Sequence, residues 1–241
     1  MNDYMKEVIK HVDLSQDMPL HQIVYLGLRT SIIKGIIPVG ERINEKKYSL
    51  ELNVSRTPIR EALYRIQAEG LIEHVPNYGF VIKKFTEKDA EEIYKLRVSL
   101  DTLAALNAME LMNDNDFKEM KLLLDKTEES EENGDIANVI KLFSDFNEMI
   151  YTYSNMPILK NITFSLRDYL IRFRDISLLD NYRRKKAFDE HKLIYYCLRD
   201  KDDKEITLLI KKHLDYSKKF IIEEIKRKDE STIWIRYWLI H

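Results

Sequence analysis

Arg56 and Arg60 stand four residues apart, with Ser55 and Thr57 beside the first and the apolar positions Ile59, Ala62 and Leu63 among and beyond them. On a helix that starts here, residues four apart share a face, so both guanidinium groups and the Thr57 hydroxyl gather near its N-terminus. Arginine can bond O6 and N7 of guanine together, and hydroxyls at a helix start can bond phosphate. The chemistry this spacing offers is duplex recognition in a major groove, with no covalent step. Ser55 and Thr57 are also placed to cap the helix, and Pro58 suits a first turn, where no backbone donor is lost. Glu61 is expected to point away from nucleic acid. The plainer alternative for the two arginines is a pair of solvated helix charges.

Such a helix needs neighbours to hold it. Ile23, Leu26, Ile32, Ile33 and Ile36 recur at roughly helical spacing within residues 19–36, and Gly35, Pro38 and Gly40 punctuate the end. Asn44 is placed to cap a short helix from Glu45 to Leu52. Beyond the arginines, Leu71 to Val75 and Gly79 to Lys83 are β-branched or aromatic runs around Pro76, Asn77, Tyr78 and Gly79, which predicts a hairpin. A helix–turn–helix followed by a hairpin is a winged helix, with Tyr78 and Gly79 at the tip of the wing.

The chain has 241 residues, 44% hydrophobic and 33% charged, which suits one large domain or two modest ones with cores. Cys197 is its only cysteine, so no internal disulfide and no cysteine-based zinc motif can form. No apolar run approaches the length of a membrane span and no secretory h-region is present, so the expected location is the cytoplasm. The net charge of −2 averages two unlike parts. Residues 21–85 hold ten basic residues against six acidic ones, and the remainder is acidic. Positive charge sits where duplex binding needs it, at a level that implies salt-sensitive binding assisted by dimerisation.

After Lys84 the pattern turns to long helices with little punctuation. Thr86 to Asp89 reads as a cap for a helix reaching about Met112, with Ile93, Leu96, Leu100, Leu103 and Leu106 as its apolar stripe. Further helices are expected at 114–132, 136–154, 157–179, 183–200 and 203–228, with Asp114, Asp135 and Asp202 near their starts. The acidic run from Glu128 to Glu132 reads as a solvated helix end. The expected fold is mainly α: a winged helix–turn–helix over 15–84 and an antiparallel all-α bundle of about six or seven helices over 85–228. Residues 229–241 form an apolar tail of no assigned role.

Four runs in order, IIPVGERINE (36–45), VSRTPIREAL (54–63), AEGLI (68–72) and PNYGFV (76–81), resemble the N-terminal signatures of GntR-family bacterial transcription regulators. LRVSLD (96–101), FNEMIYTYSNMPIL (146–159), EHKLI (190–194) and KHL (212–214) are similar to elements of the FadR-like branch, which carries an FCD-type effector domain. The resemblance spans most of residues 20–225. It implies a dimeric, ligand-responsive regulator, most simply a repressor, on an inverted-repeat operator in double-stranded DNA. Lys46 matches a position where many relatives carry a DNA-contacting arginine, and lysine there favours phosphate over bidentate base contact.

Many members of the branch hold a divalent metal, such as Zn, Mn or Ni, through an acidic residue and three histidines. Carried over, the ligands are Asp101, His191 and His213, with Asn147 where the middle histidine is expected and Phe143 at an alternative acidic position. Asparagine is the poorer ligand for such ions. Effectors of the branch are often small organic acids, which a guanidinium binds well. Arg97 and Arg172 are the expected effector residues, whereas Arg167 and Arg174 read as solvated or interdomain charges. Arg97 also reads as an i,i+4 partner of Asp101. Tyr151, Tyr153, Tyr169 and Tyr195 read mainly as packing residues. The alternative function is a metal-dependent hydrolase using the His191 and His213 pocket, but no general base or nucleophile accompanies those histidines.

Overall fold

The computed structural model describes residues 3–226, except for the side chains of Asp3 and Arg172. The chain divides into two compact units, with the boundary between Phe85 and Thr86.

The first unit begins with an element the sequence reading did not assign. Helix α1 (Asp3–His11) precedes α2 (Leu20–Ile33), strand β1 (Arg42–Ile43), α3 (Glu45–Glu51), α4 (Arg56–Ala68), β2 (Ile72–Val75) and β3 (Gly79–Ile82). Met5 and Val8 of α1, and Val12 just beyond it, join one core with Val24 and Leu28 of α2, Tyr48 of α3, Ile59, Leu63 and Ile66 of α4, and Ile43, Ile72 and Phe80 of the sheet. Met5 and Val8 are wholly buried, and each such side chain contributes about 1.5–3 kcal/mol of burial. The Tyr4 hydroxyl donates to Glu41 over 2.7 Å. Gly27 of α2 is the point of closest approach, because a Cβ there would sit 2.5 Å from Val12 Cγ2 and 2.6 Å from the His11 carbonyl oxygen.

The hairpin forms as expected, and β1 adds a third strand to it, giving the antiparallel order β1-β3-β2. Glu73 faces Val81 and Val75 faces Gly79 in the register. The turn is made by Asn77 at φ 61° and Gly79 at φ 105°, a conformation glycine adopts freely. At the other end of α4, Glu69 accepts from Arg29 Nε over 2.6 Å and from the Tyr25 hydroxyl, tying α4 to α2. Arg65 lies over the Tyr25 ring at 3.8 Å.

The second unit comprises α5 (Glu87–Leu111), α6 (Asp114–Glu132), α7 (Ile136–Tyr153), α8 (Pro157–Ser177), α9 (Asn181–Asp200) and α10 (Asp203–Lys226). Caps set their starts: Thr86 and Asp89 form a full capping box, Asn113 and Asp116 another, and Asp135 and Asp180 accept from Asn138 and Arg183 N–H groups. Helix α5 packs on α7, α8, α9 and α10. Its inward face differs from the expected leucine stripe. Ile93 is buried, but Leu96 and Leu103 are 48% and 47% exposed, while Leu100 and Leu106 are half-buried. The buried face is Ala90, Ile93, Tyr94, Arg97, Asp101, Ala104, Ala105, Ala108 and Met109. Alanines let neighbouring helices approach closely, and an ion pair replaces leucine where the interior is polar.

The acidic run of α6 is not wholly solvated either. Glu131 receives Arg184 Nε at 2.6 Å, and Arg184 Nη1 also reaches the carbonyl oxygens of Leu178 and Leu179. The apolar tail, 229–241, lies outside the described residues.

Candidate nucleic-acid interface and bundle cavity

Helix α4 separates its two jobs by face. Pro58, Ile59, Ala62, Leu63 and Ile66 are buried, while Arg56, Thr57, Arg60 and Glu61 are exposed. Ser55 has N-cap backbone geometry but makes no capping hydrogen bond with its side chain, so the expected cap is absent and its hydroxyl is not committed to the helix. Arg60 is aimed by a neighbour: its Nη2 and Nε donate to the Glu45 carboxylate at 2.8 Å and 3.1 Å. Glu45 opens α3, which Asn44 caps by accepting from Lys47 N–H at 3.1 Å. Lys46, in the same first turn, is exposed.

Tyr78 is exposed at the wing tip next to Gly79. The Arg42 guanidinium of β1 lies over the Tyr78 ring, 4.7 Å from its centroid. The wing thus carries a cation that sequence reading missed, because Arg42 is distant in sequence and only the β1–β3 pairing brings it to the tip. Glu61 lies 3.9 Å from His21 Nδ1.

The second unit holds a cavity of about 200 Å³ whose walls include Tyr94, Arg97, Asn147, Phe164, Arg167, Arg174, Arg183, His191, His213 and Ser217. Arg97 Nη2 donates to Asp101 at 2.8 Å, and both residues are buried; the i,i+4 pair faces inward and is itself part of the polar interior. Arg167 and Arg174, expected to be solvated or interdomain, line the cavity instead. Arg183 had no assigned role. It is 3% exposed. The Arg172 side chain lies outside the description. Burial, together with Arg174 and Arg97, holds the Arg167 guanidinium down at about 10. Tyr151 is buried as expected, but its hydroxyl also serves the site by donating to Asp101 Oδ1 at 2.9 Å.

The four residues expected to hold a metal do not form a fitting donor set. Both Asp101 oxygens accept hydrogen bonds, from Arg97 and Tyr151. Asn147 Nδ2 donates to the Phe143 carbonyl at 2.7 Å, and His213 Nδ1 lies 2.8 Å from Glu190 Oε2. His191 stacks on Phe146 with ring centroids 4.5 Å apart. Asp101, Asn147 and His213 line a separate void of about 20 Å³ that His191 does not reach. Among the described residues, no three His, Cys, Asp or Glu side chains are grouped as a metal ion requires.

The helices α2, α3 and α4 with a β-ribbon wing, offering exposed guanidinium groups from the start of α4, define a winged-helix DNA-binding protein. Comparison with known families identifies which kind. Residues 20–82 match the model described as bacterial regulatory proteins, gntR family, and residues 92–216 match the FCD domain. The chain belongs to the GntR family, in the branch that carries an FCD domain, and is a DNA-binding transcription regulator, not an enzyme. It is 28% identical to the HTH-type transcriptional regulator YdhC of Bacillus subtilis (strain 168), over 88% of this chain and 97% of that one. It is 30% identical to the gluconate operon transcriptional repressor of Bacillus licheniformis, over 73% and 74% of the two chains. The fold is similar to that of McbR/YncC of E. coli, with a TM-score of 0.66 at 22% identity, covering 86% of this chain and 100% of that one. No described helix is long and apolar enough to cross a membrane.

Proposed function

We propose that this regulator acts in the cytoplasm as a homodimeric repressor, reading an inverted-repeat operator and releasing it when a small organic acid enters the bundle cavity. The observation that carries the DNA reading is the division of α4, whose apolar face is buried while Arg56, Thr57 and Arg60 stand in solvent. Arg60 and Arg56 contact base edges or the adjoining phosphates. Ser55, Thr57 and Lys46 contact phosphate, and Tyr78, Gly79 and Arg42 bring the wing to the minor groove. A repressor among the relatives, that of the gluconate operon, supports the sign of regulation.

The arginine-rich cavity supports the effector reading. Arg97 keeps Nε buried without a partner, ready for a carboxylate oxygen, and Arg172 is assigned to the same ligand from its sequence position alone. Leu96 and Leu103 on α5, with Ile158 and Ile162 on the adjacent α8, leave apolar surface exposed, which supports a second copy as its cover. The effector acts by binding more tightly to the arrangement of the dimer that cannot span the operator.

The test is electrophoretic retardation of DNA upstream of the regulator's own gene, in the presence of competitor DNA. Retardation lost in an Arg56→Ala/Arg60→Ala double variant that keeps its oligomeric state supports the assignment. Unchanged retardation overturns it.

A further inference from the structure

We propose that the bundle cavity is a metal-independent receptor for a small dianion, held between Arg167 and Arg183 and completed by the imidazole of His191. The binding chemistry stands on the cavity alone, while its regulatory meaning rests on the effector reading above.

Four guanidinium groups line this cavity. Two already have a carboxylate partner: Arg97 with Asp101 at 2.8 Å, its Nε still open to a ligand, and Arg174 with Asp175 at 2.7 Å. Arg167 and Arg183 make no ion pair among the described residues. Arg167 Nη1, Arg183 Nε and Nη1, and His191 Nδ1 are buried with no hydrogen-bond acceptor. Arg183 is nevertheless held in place. Its Nη2 donates to Ser217 at 2.6 Å, and the guanidinium lies 5.2 Å and 5.5 Å from the ring centroids of Tyr216 and Phe220. The two acids on the wall do not offset these charges directly, since Glu148 is held by Lys160 at 3.0 Å and Asp168 is engaged as well.

A buried charge without a partner is strongly unfavourable, and two in one cavity raise each other's energy. Two unmatched positive charges call for two negative ones, so a monoacid leaves one arginine unsatisfied. Arginine presents parallel N–H groups that match both carboxylate and phosphate, so a dicarboxylate and a phosphate ester share the required chemistry. The same positive surroundings oppose a divalent cation. The residues that take the place of the metal are therefore arginines.

The experiment is thermal unfolding of the full chain after dialysis against a chelator, at constant ionic strength and in mildly alkaline buffer, where phosphate is doubly charged. The probes are succinate, inorganic phosphate and acetate, and Zn²⁺, Mn²⁺ and Ni²⁺ added singly. A rise in melting temperature with succinate or phosphate that exceeds the rise with acetate, needs no metal, and is lost in Arg167→Gln/Arg183→Gln supports the receptor. A response to succinate alone points to a dicarboxylate, and one to phosphate alone to a phosphate ester. Each single glutamine variant without ligand should melt no lower than the parent, because an unpaired buried charge has gone. Overturning results are no response to either dianion, dependence on an added metal, an undiminished response in the double variant, or clear destabilisation of both single variants. A dianion that binds without altering DNA retention removes the effector reading and leaves the receptor standing; a metal-dependent response to monoacids does the reverse.

Discussion

Glu45 grips Arg60 across the turn of the helix–turn–helix, with Arg60 Nη2 2.8 Å from Glu45 Oε2 and Arg60 Nε within 3.2 Å of both carboxylate oxygens. The arginine is 53% exposed at its side chain and the glutamate 24%, so the contact restricts a solvent-facing guanidinium without burying it. Pre-aiming of this kind lowers the side-chain entropy lost when the arginine meets a base.

Glu45→Gln is expected to weaken discrimination between operator and non-operator DNA while leaving non-specific binding equal or stronger, because it also removes a negative charge near phosphate. Arg60→Ala removes the contact itself, and a lost bidentate base contact costs about 1–3 kcal/mol of discrimination. Parallel titrations of operator and scrambled duplex by fluorescence anisotropy separate the two effects. Equal losses on both duplexes in Glu45→Gln would show that Arg60 is not aimed by Glu45.

Arg42 lies over Tyr78 at the wing tip. Arg42→Ala should weaken binding to all duplexes alike and reduce the slope of log affinity against log salt by about one unit, as expected when one phosphate contact is lost. An unchanged slope places Arg42 off the DNA.

Gly27 admits α1 against α2, and a Cβ there would stand 2.6 Å from a backbone oxygen. Gly27→Ala is therefore expected to destabilise the first unit by about 1–3 kcal/mol through overpacking. Chemical denaturation measures it; a stability equal to the parent would mean that α1 shifts without loss. Deleting α1 should expose Val24 and Leu28 and be more damaging than the single substitution.

Arg184 ties α9 to α6 and to the end of α8 through Glu131 and two carbonyl oxygens. Arg184→Ala leaves Glu131 and those carbonyl groups unpaired, and breaking a buried pair on one side costs about 3–5 kcal/mol. Changing both partners to Leu and Met should recover part of that loss. A double-mutant cycle in thermal unfolding reads the coupling.

Leu96→Glu/Leu103→Glu places charge on the exposed apolar face of α5. Light scattering after size exclusion should report a monomer with unchanged helix content and strongly weakened operator binding. A dimer that survives both changes locates the interface elsewhere.

Much of the DNA-binding unit was legible because its signals are local. Arg56 and Arg60 at i,i+4, the Pro58 first turn, the Asn44 cap and the Asn77–Gly79 turn each depend on residues within one or two turns of backbone. The helices of the bundle were legible for the same reason, since Thr86, Asp135 and Asp202 mark starts without reference to the rest of the chain. Helical spacing did not say which face of α5 turns inward. Leu96 and Leu103 satisfy an apolar period as well as Ala104 and Ala108 do, and the choice depends on how closely α7, α8, α9 and α10 approach.

The sequence alone determined the succession of helices and the hairpin, the basic character of the amino-terminal unit, and the two arginines that face solvent from α4, because propensity, capping and period act over short distances. Only the tertiary structure decided that Glu45 holds Arg60, that Arg42 reaches the wing tip, and that Arg167 and Arg183 enter the cavity where a metal was expected. Those outcomes rest on pairings between residues far apart in the chain. Their electrostatic and packing energies have no counterpart in local pattern until the helices and strands are placed.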